Sequence, residues 1–540
     1  MNWEPHVMAY IIDLVTFAAF VFFFYYRIIR YLHIFQQNEY NTSRFVSWLI
    51  TSMAFDKRIS VTLILIGIST SFVQNSGLVQ LFFEKGMVAL LFGVAALMEP
   101  NPLKVAKKKL VLTNRVKRIL AISLTFAAIT SAFTVTISGA ISWLVAVQLI
   151  PMIMVLSKFF LDPVETHIHN SFQNSAENRM REVAPCTIGI TGSFGKTSVK
   201  HILGHILQMN TNAQFTPGSV NTVMGISRFI NEQLNDNCRY FLAEMGAYGT
   251  GSISNLCRFV PPNYGIITSV GEAHYERFKN LETVAKAKFE LAQAVFHLNG
   301  KVVVDESVLK HIYACQYVEQ NRAIFIVVGV KHTADIKILS IDQTVRGLNI
   351  KIHYDKNEHI IFAPLYGLHH GRNIVLAYAL ALSLGFPSKR IIQTIRTIPQ
   401  VSHRLEVKKH HSGATYIDDA YNTNPVGFLN GLDLLQTLGN ACGRRILITP
   451  GVVELGEKHK EVHLELGKKA AIATDITIVL CPKRVATFVE GFMSISGHGT
   501  LITFNNFSDA ENWIGQNLEF NDTILIANDL PDMIERRFIC

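Results

Sequence analysis

The hydrophobic pattern divides the chain into two parts near residue 185. Ahead of that point apolar residues form long runs, and the first, residues 7–29, is long enough to cross a bilayer, which takes roughly 20 residues. Further apolar runs follow at about 59–75, 83–98, 119–137 and 139–157. They predict a helical membrane region of about five spans over residues 1–160. The second and third runs are short or interrupted by polar residues, which leaves a re-entrant hairpin as an alternative there.

A cleaved signal peptide is the other interpretation of the first run. The run has no basic segment before it and no small-residue cleavage site after it, and more apolar runs follow. A membrane span therefore explains it better. Asp13 lies within this span, where it either makes a polar contact or lines a substrate path inside the helix bundle, or stays hydrated near the interface.

Beyond residue 186 short β-branched runs alternate with helical segments. The runs include TIGIT, YFLAEM, YGIITSV and KVVVD. Such alternation is typical of a parallel sheet with crossover helices, so this part is predicted to be α/β and doubly wound. The polar stretch 161–184, which ends before Pro185, is interpreted as a linker with some helix.

The distribution of charge supports a membrane protein. The chain is 49% hydrophobic, with a mean hydropathy of +0.25 and a formal charge of +9. Much of the basic excess near the N-terminus lies between apolar runs, in segments 30–58 and 104–118. The positive-inside rule then places both segments, and everything after residue 158, in the cytoplasm. A lipid membrane is the expected partner, and nucleic acid is not.

The cysteines indicate a reducing compartment. There are seven, none precedes Cys186, and no pair has CxxC spacing. Scattered thiols of this kind are typical of intracellular domains, and their spacing argues against a zinc site.

The loop 191-TGSFGKTS-198 has the context of a phosphate-binding loop. It follows the first predicted strand of the α/β part and opens a helical pattern. Glycines allow backbone N–H groups to approach an anion, the helix N-terminus adds positive potential, Lys196 can reach the terminal phosphates, and the Thr197 hydroxyl can bind Mg²⁺. The strict GxxxxGK[ST] pattern is not met, because Ile190 stands where its first glycine belongs.

From this loop onward, residues 185–540 resemble the Mur ligases, the ATP-dependent amide-bond-forming enzymes of bacterial cell-wall synthesis. The motifs occur in the family's order: TGSFGKTS, 216-TPGSVNTVMGI-226, 241-FLAEMGAYGTGSI-253, 268-TSVGEAHYERF-278, 285-AKAKFEL-291, 365-LYGLHHGRN-373, 402-SHRLEV-407 and 416-YIDDAYNTNP-425. The DDxYNxNP pattern resembles the branch that adds D-alanyl-D-alanine to a UDP-linked tripeptide.

The resemblance implies a role for each matching residue. ATP binding is implied for Thr191, Gly192, Ser193, Gly195, Lys196, Thr197, Ser198, Asn373, Arg404 and Asp419. Magnesium binding is implied for Thr197, Glu244, His274 and Lys288, the last as a lysine carbamate. Catalytic roles are implied for Lys196, His274 and Lys288, and a substrate or branch motif for Asn221, Asp418, Tyr421, Asn422 and Asn424. ATP and Mg²⁺ are the implied cofactors.

Three departures from the family limit what the resemblance implies. His370 replaces the family's first asparagine in the helix that begins at 365-LYGLHHGRN. Membrane spans replace the soluble domain that holds the uridine nucleotide, so the acyl substrate is expected to be a lipid-linked or membrane-delivered peptide precursor. The segment 523–538 lacks the branch's lysine-glycine-serine-arginine stretch, so the residues that bind the amine cannot be named.

The leading interpretation is a multi-pass ligase of the bacterial cytoplasmic membrane, with its catalytic domains on the cytoplasmic side. It activates a carboxylate as an acyl phosphate for attack by an amino acid or a dipeptide such as D-alanyl-D-alanine. A ligase for another peptide, of the poly-γ-glutamate type or acting on a lipid-linked precursor, is the first alternative. A membrane ATPase or transporter and a non-catalytic scaffold are the others.

The expected architecture has four parts. Residues 1–160 form the membrane region, 161–184 the linker, 185–401 the central ATP-binding domain, and 402–540 a Rossmann-like C-terminal domain. ATP is expected at the carboxyl ends of the strands, between the two soluble domains.

Overall fold

The computed structural model contains two compact units, one extending to Ile168 and the other beginning at His169. It describes residues 5–38, 40–52, 55–72, 77–103, 109–137, 139–271, 280–421, 424–439, 442–453, 455–497 and 499–528.

The first unit is built from helices. They are α1 (Pro5–Gln37), α2 (Thr42–Thr51), α3 (Arg58–Ser71), α4 (Gly77–Met98), α5 (Asn114–Ile137) and the part of α6 (Ala140–Val183) that precedes His169. Within the described residues, three are long and apolar enough to cross a membrane, namely α1, α5 and α6, and α3 is a shorter apolar helix. A helical N-terminal region is therefore confirmed, and the count of five spans stays a prediction. The predicted linker is helical as far as Val183.

Helices α1 and α4 run in parallel and are joined by two groups of ion pairs. Lys85 Nζ lies 2.5 Å from Asp13 Oδ1, and fourteen residues further along α1 Arg27 Nε donates to Glu99 Oε1 over 2.5 Å. Arg30 also contacts Glu99, over 3.0 Å. For both Asp13 and Arg27, the partner at α4 lies the same number of residues further along the chain, so the two helices run in the same direction. Of the two interpretations of Asp13, the structure favours a polar contact inside the bundle.

The second unit contains a nine-stranded sheet, in the order β2-β3-β1-β4-β5-β6-β7-β8-β9. Its strands are β1 (Cys186–Thr191), β2 (Ala213–Phe215), β3 (Tyr240–Glu244), β4 (Tyr264–Ile267), β5 (Lys301–Asp305), β6 (Phe325–Gly329), β7 (Ile336–Thr344), β8 (Gly347–Tyr354) and β9 (Asn357–Ala363). The first six strands and the β6–β7 pair are parallel, and β7–β9 form an antiparallel meander.

Helices cover both faces of this sheet. They are α7 (Lys196–Gln208), α8 (Val223–Gln233), α9 (Ser252–Phe259), α10 (Leu281–His297), α11 (Ile312–Gln320), α12 (Leu368–Ser383) and α13 (Ser388–Ile395). In β3, Phe241 and Ala243 belong to the core on one face and Leu242 to the core on the other. Burial on both faces explains why the parallel strands are continuous apolar runs.

A second, six-stranded sheet follows, in the order β10-β11-β15-β12-β13-β14. Its strands are β10 (Glu406–Lys409), β11 (Thr415–Asp419), β12 (Arg445–Thr449), β13 (Ile476–Leu480), β14 (Thr500–Phe504) and β15 (Thr523–Ala527). Its helices are α14 (Pro425–Leu438), α15 (His459–Ala473), α16 (Ala486–Met493) and α17 (Phe507–Asn517). Only the β10–β11 pair is antiparallel in the described sheet. The α/β prediction is confirmed.

Candidate active site

Strand register brings the loop 191–198 beside Glu244. Strands β1 and β3 are parallel neighbours, and Ile190 pairs with Glu244 at the carboxyl ends of both. The loop therefore leaves β1 at the position where β3 ends. Thr191, buried, donates from its hydroxyl to Met245 O over 2.9 Å, which holds the two strand ends together.

Glycine is required at two positions of the loop. Gly192 has φ +155°, and a Cβ there would lie 1.9 Å from Thr268 Oγ1. Gly195 has φ +82°, and its Cβ would lie 2.7 Å from Asn373 Oδ1. A side chain at either position would collide with a neighbour that itself belongs to the site. The close approach also places Asn373, near the start of α12, against the loop as the resemblance implies.

The loop is tied to the segment that follows β4. Ser193 N donates to Ser269 O over 2.9 Å, and the Ser193 hydroxyl accepts from Gly271 N over 2.9 Å. Phe194 N donates to the hydroxyl of Ser269. The first N–H groups of α7, which begins at Lys196 and includes the buried Ser198, have no acceptor within the helix. They are therefore free to donate to a bound anion.

Lys196 folds back over the loop. Its Nζ donates to Gly192 O over 2.8 Å and to Ser193 O over 3.3 Å. Burial lowers the pKa of Lys196, the carboxylate of Glu244 opposes this shift, and Arg404 adds to it. The amine thus carries its charge in a poorly hydrated site, where an anionic phosphate would stabilise it strongly.

Glu244 is a buried carboxylate with three neighbours, and only 1% of the residue is exposed. The Thr197 hydroxyl donates to Oε2 over 2.8 Å, Lys200 Nζ lies 3.3 Å from the same oxygen, and Asn221 Nδ2 lies 3.3 Å from Oε1. The Asn221 amide is held in turn by the hydroxyl of Tyr248, 3.0 Å away. The structure thus brings together Thr197, Glu244 and Asn221, three of the residues to which the resemblance gives a role.

Lys200 belongs to the site, and the sequence analysis missed it. It is fully buried, and its Nζ donates to Gly218 O over 2.5 Å and lies 3.4 Å from Thr216 Oγ1. Burial lowers the pKa of Lys200, and Glu244 opposes that shift. The available signal was its position four residues after Lys196, which puts a lysine on the same face of the amphipathic helix α7.

Lys288 projects from α10 into the cavity that Lys196 lines, and 4% of it is exposed. That cavity is lined by Gly192, Ser193, Lys196, Asn221, Gly246, Ala247, Tyr248 and Lys288. Burial and the charge of Lys196 hold the pKa of Lys288 well below its usual range. Among the described residues its Nζ has neither a hydrogen bond nor an ion pair. Its predicted partner, His274, lies outside the described residues.

His370 occupies the first turn of α12 and is buried, with 1% exposed. Neither ring nitrogen has a hydrogen-bond partner within the part of the chain that the structure describes. Burial, together with the positive potential of His369 and Arg404, lowers the pKa of His370 well below its usual range, although the Arg404 backbone opposes the shift. The side chain is therefore a neutral imidazole at neutral pH.

The second sheet contributes the remaining predicted residues. Leu405 N lies 3.3 Å from Oδ1 of the buried Asp419 at the end of β11, and the Arg404 guanidinium lies 4.6 Å from the centre of the Tyr421 ring. The Tyr421 hydroxyl forms a hydrogen bond with Ser219, in the loop that also carries Asn221. This contact joins the two sheets at the site.

Two further residues of the 416–425 motif have local partners. Asp418 Oδ2 lies 2.8 Å from His403 Nδ1 and 3.3 Å from Lys408 Nζ. Asn424 caps α14, accepting from Gly427 N over 2.8 Å. Asn422 lies outside the described residues. These contacts give Asp418 and Asn424 structural roles in addition to any contact with substrate.

Comparison with known families and with curated sequences gives matches to Mur ligases in both cases. Residues 190–381 match the family model of the Mur ligase middle domain. The chain is 26% identical over 306 residues, 56% of its length, to the UDP-N-acetylmuramoyl-tripeptide–D-alanyl-D-alanine ligase of Bacillus subtilis. It is 30% identical over 294 residues, 52% of its length, to the ligase of that name from Mycobacterium tuberculosis. The chain spans 64% and 56% of these relatives, respectively.

Solved structures share the fold. MurF from Acinetobacter baumannii superposes with a TM-score of 0.57 at 22% identity, over 67% of this chain and 77% of that one. MurF ligase from Thermotoga maritima in complex with ADP gives a TM-score of 0.56 at 20% identity, over 68% and 82%.

Proposed function

We propose, from the premise that residues 190–381 form a Mur ligase middle domain, that this chain is an ATP-dependent amide ligase of peptidoglycan precursor synthesis. One observation carries the proposal. Lys196, Thr197, Glu244 and Lys288 converge at the carboxyl ends of β1 and β3, where a phosphoryl group needs cationic and oxygen ligands.

The reaction has two steps in this proposal. A carboxylate oxygen of the acyl substrate attacks the γ-phosphorus of ATP, the bond to the β–γ bridging oxygen breaks, and ADP leaves. The amine nitrogen then attacks the carbonyl carbon of the acyl phosphate, loses a proton, and expels inorganic phosphate. Lys196 and the N-terminus of α7 hold the transferring phosphoryl group and stabilise its charge.

Magnesium is the ion that these residues fit. The buried Glu244 carboxylate and the Thr197 hydroxyl offer adjacent oxygens, 2.8 Å apart, and oxygen is the ligand atom that Mg²⁺ prefers. Bound there, the ion would neutralise charge on the phosphate oxygens. Lys288 suits a second position once it carries a carbamate, because its depressed pKa leaves a neutral amine that can combine with CO₂.

The nucleotide is held from both sheets in this proposal. Asn373 lies against Gly195 of the loop, and Arg404 and Asp419 reach the site from the second sheet. We accordingly assign residues 185–401 to a central ATP-binding domain and 402–540 to a C-terminal domain. Hydrogen bonding between Tyr421 and Ser219 supports approach of the two sheets around the nucleotide.

The acyl substrate is proposed to be a lipid-linked or membrane-delivered peptide precursor. The relatives are named for a UDP-linked tripeptide, whereas the N-terminal part of this chain consists of apolar helices. A multi-pass protein of the bacterial cytoplasmic membrane, with its catalytic unit in the cytoplasm, would meet such a precursor at the bilayer surface. The amine is proposed to be an amino acid or a dipeptide such as D-alanyl-D-alanine.

The proposal is tested by ADP release from the purified full chain in detergent. A ligase releases ADP only when ATP, an acyl substrate and an amine are all present, and the amide product appears in equal amount. Candidate acyl substrates are the UDP-linked tripeptide and its lipid-linked form. Lys196→Ala should abolish turnover with every combination. Steady ATP hydrolysis without acyl substrate or amine would contradict the proposal and favour a membrane ATPase.

A further inference from the structure

Arg404 lies on a strained segment of backbone between the two sheets. The residues on either side of it have positive φ: His403 has φ +59° and Leu405 has φ +49°. This conformation costs free energy for any residue with a Cβ, and for a bulky side chain such as leucine it is an outlier. Such conformations persist only where the surrounding structure holds them. The contacts on both sides of Arg404 must therefore offset that cost.

Leu405 is held by burial and by its backbone. The residue is 1% exposed and belongs to the core of the second sheet. Its N–H donates to Asp419 Oδ1 over 3.3 Å. A Cβ at Gly367 would lie 2.5 Å from Leu405 Cδ1, so the leucine packs closely against the residue that precedes α12. The backbone on the C-terminal side of Arg404 is therefore fixed.

His403 is held by hydrogen bonds instead, because its side chain is exposed. Its Nδ1 lies 2.8 Å from Asp418 Oδ2, and its backbone N donates to Glu406 Oε2 over 3.1 Å. A carboxylate can only accept, so Nδ1 carries the proton. Glu406 and Asp418 face each other in the antiparallel β10–β11 pair, which places both acceptors beside the histidine. We call His403, Glu406 and Asp418 the clamp.

The ligating atoms of the clamp lie within 4.8 Å of one another, an arrangement that could also surround a metal ion. Lys408 already supplies a cation there. Its Nζ lies 2.8 Å from Glu406 Oε2 and 3.3 Å from Asp418 Oδ2. A second cation would be repelled by this ammonium group. The two carboxylates are therefore neutralised within the chain, and they serve to hold the backbone of His403.

The Arg404 side chain extends from this fixed backbone toward the candidate active site. Its guanidinium lies 4.6 Å from the centre of the Tyr421 ring. Burial lowers the pKa of Lys196, and the charge of Arg404 lowers it further, so the two cations are close enough to interact. An arginine side chain has several rotatable bonds, and the direction in which it leaves the backbone limits where its guanidinium can lie.

We propose that His403 is a positioning residue, which holds the backbone through the clamp so that Arg404 faces the transferring phosphoryl group. This inference rests on the proposed ligase function. A cation that already lies where negative charge develops stabilises the transition state without reorganisation. Without the clamp the strained segment relaxes, and Arg404 loses its orientation. His403 itself contacts neither the nucleotide nor the substrates.

The first test compares three substitutions at His403 by amide formation in the full chain in detergent. His403→Asn should keep most of the activity, because an asparagine amide reaches the position of Nδ1 and asparagine tolerates a positive φ. His403→Ala should lower kcat by about 10- to 100-fold through misplacement of Arg404. KM for ATP should stay nearly unchanged, because the loop 191–198 still holds the nucleotide. His403→Gly should lose as much as His403→Ala, since glycine adopts the positive φ freely but lacks the donor.

A double variant separates positioning from a general loss of structure. If His403 acts through Arg404, His403→Ala should cause no further loss of activity in an Arg404→Ala background, whereas independent effects would multiply. His411→Ala is the matched control, because His411 is also exposed and lies in the turn of the same β10–β11 hairpin. It should keep the wild-type kcat.

Hydrogen exchange of the segment 401–407 provides a readout that needs no turnover. Exchange should be slow in the wild type and in His403→Asn, and faster in His403→Ala and His403→Gly, because local opening follows loss of the contacts that hold the backbone. The melting temperatures should stay close to that of the wild type, since the histidine side chain is exposed.

Two results would overturn the inference while leaving the ligase function intact. One is a His403→Ala variant that keeps the wild-type kcat or the wild-type exchange rate of the segment. The other is a multiplied loss in the double variant, which would show that His403 acts independently of Arg404. A wild type that forms no amide with any acyl substrate and amine would overturn both the inference and the function on which it rests.

Discussion

Two lysines, Lys196 and Lys288, line one small cavity at the site, where two ammonium groups would repel each other. Lys288 is buried beside Lys196, and the structure gives its amine no anionic neighbour among the described residues. An ordinary ammonium would be costly at this position. A carbamate reverses the sign of the charge and turns the cost into attraction, both toward Lys196 and toward a bound metal ion.

Lys288→Arg should reduce amide formation by about 100-fold, since the guanidinium keeps a positive charge but cannot hold the carbamate. The measurement is amide product formed with ADP release, alongside the melting temperature. Lys286→Arg is the control, because Lys286 lies on the same helix but is exposed. Removing CO₂ from the buffer should slow the wild type, and bicarbonate should restore it. Full activity of Lys288→Arg would exclude the carbamate.

Lys200 tests a different interaction, the buried pair with Glu244. Lys200→Met keeps the length of the side chain but leaves the carboxylate without its cation, which should cost about 3–5 kcal/mol of stability. The double variant Lys200→Met/Glu244→Gln should regain most of that stability and remain inactive. Chemical denaturation of Lys200→Met, Glu244→Gln and the double variant measures the coupling between the two side chains. Additive losses would show that the pair is not energetically coupled.

The individual residues show what sequence could and could not predict. Thr197 and Glu244 were both named because they match motifs that occur in the family's order, and the parallel pairing of β1 with β3 places the start of α7 beside the end of β3. Lys200 was missed because it lies outside every motif, although its position four residues after Lys196 was a usable signal. Its role depends on burial and on its contact with Glu244, which only the folded packing determines.

At the scale of elements, the loop between β1 and α7 requires a positive φ and close packing at the same residue, Gly192. Gly192→Ala adds a Cβ to a residue with φ +155°, 1.9 Å from Thr268 Oγ1. We expect a loss of about 1–3 kcal/mol in stability and a large rise in KM for ATP, because the loop must shift. Unfolding curves and ATP titrations provide the two measurements.

Gly249→Ala is the control for the loop variant, since a Cβ at Gly249 would meet nothing within 4 Å. Its stability and its KM for ATP should equal those of the wild type. If both variants bind ATP normally, the loop does not need glycine at residue 192, and its proposed contact with phosphate is wrong.

The elements were predicted well where they are buried and less well at the edge of the sheet. The parallel strands were recognisable because burial on both faces makes them apolar throughout. The antiparallel meander β7–β9 was not predicted, although β8 alternates between buried and exposed positions, which is the pattern of a half-buried strand. Asp355 and Lys356 adopt positive φ in one of its turns; aspartate is common in that conformation, whereas lysine does not signal it in the sequence.

For the whole molecule, the main prediction concerns which side of the membrane carries the catalytic unit. ATP is a cytoplasmic substrate, and the basic segments between apolar runs predict the same orientation. The chain offers a direct test because it has no cysteine before Cys186, whereas Cys442 in the catalytic unit is exposed. A membrane-impermeant maleimide should therefore leave the wild type unlabelled in intact cells and label it after permeabilisation.

Thr136→Cys should become labelled in intact cells, because Thr136 is exposed in the last turn of α5, the end opposite to the basic segment 104–118 that the positive-inside rule places in the cytoplasm. Thr113→Cys is the matched control: the same residue type, also exposed, but within the basic segment 104–118 and so expected to react only after permeabilisation. Labelling of the wild type in intact cells would place the catalytic unit outside. If Thr113→Cys were labelled in intact cells and Thr136→Cys only after permeabilisation, α5 would cross the membrane in the opposite direction. The proposal that a cytoplasmic catalytic unit meets its acyl substrate at the bilayer surface would then be wrong.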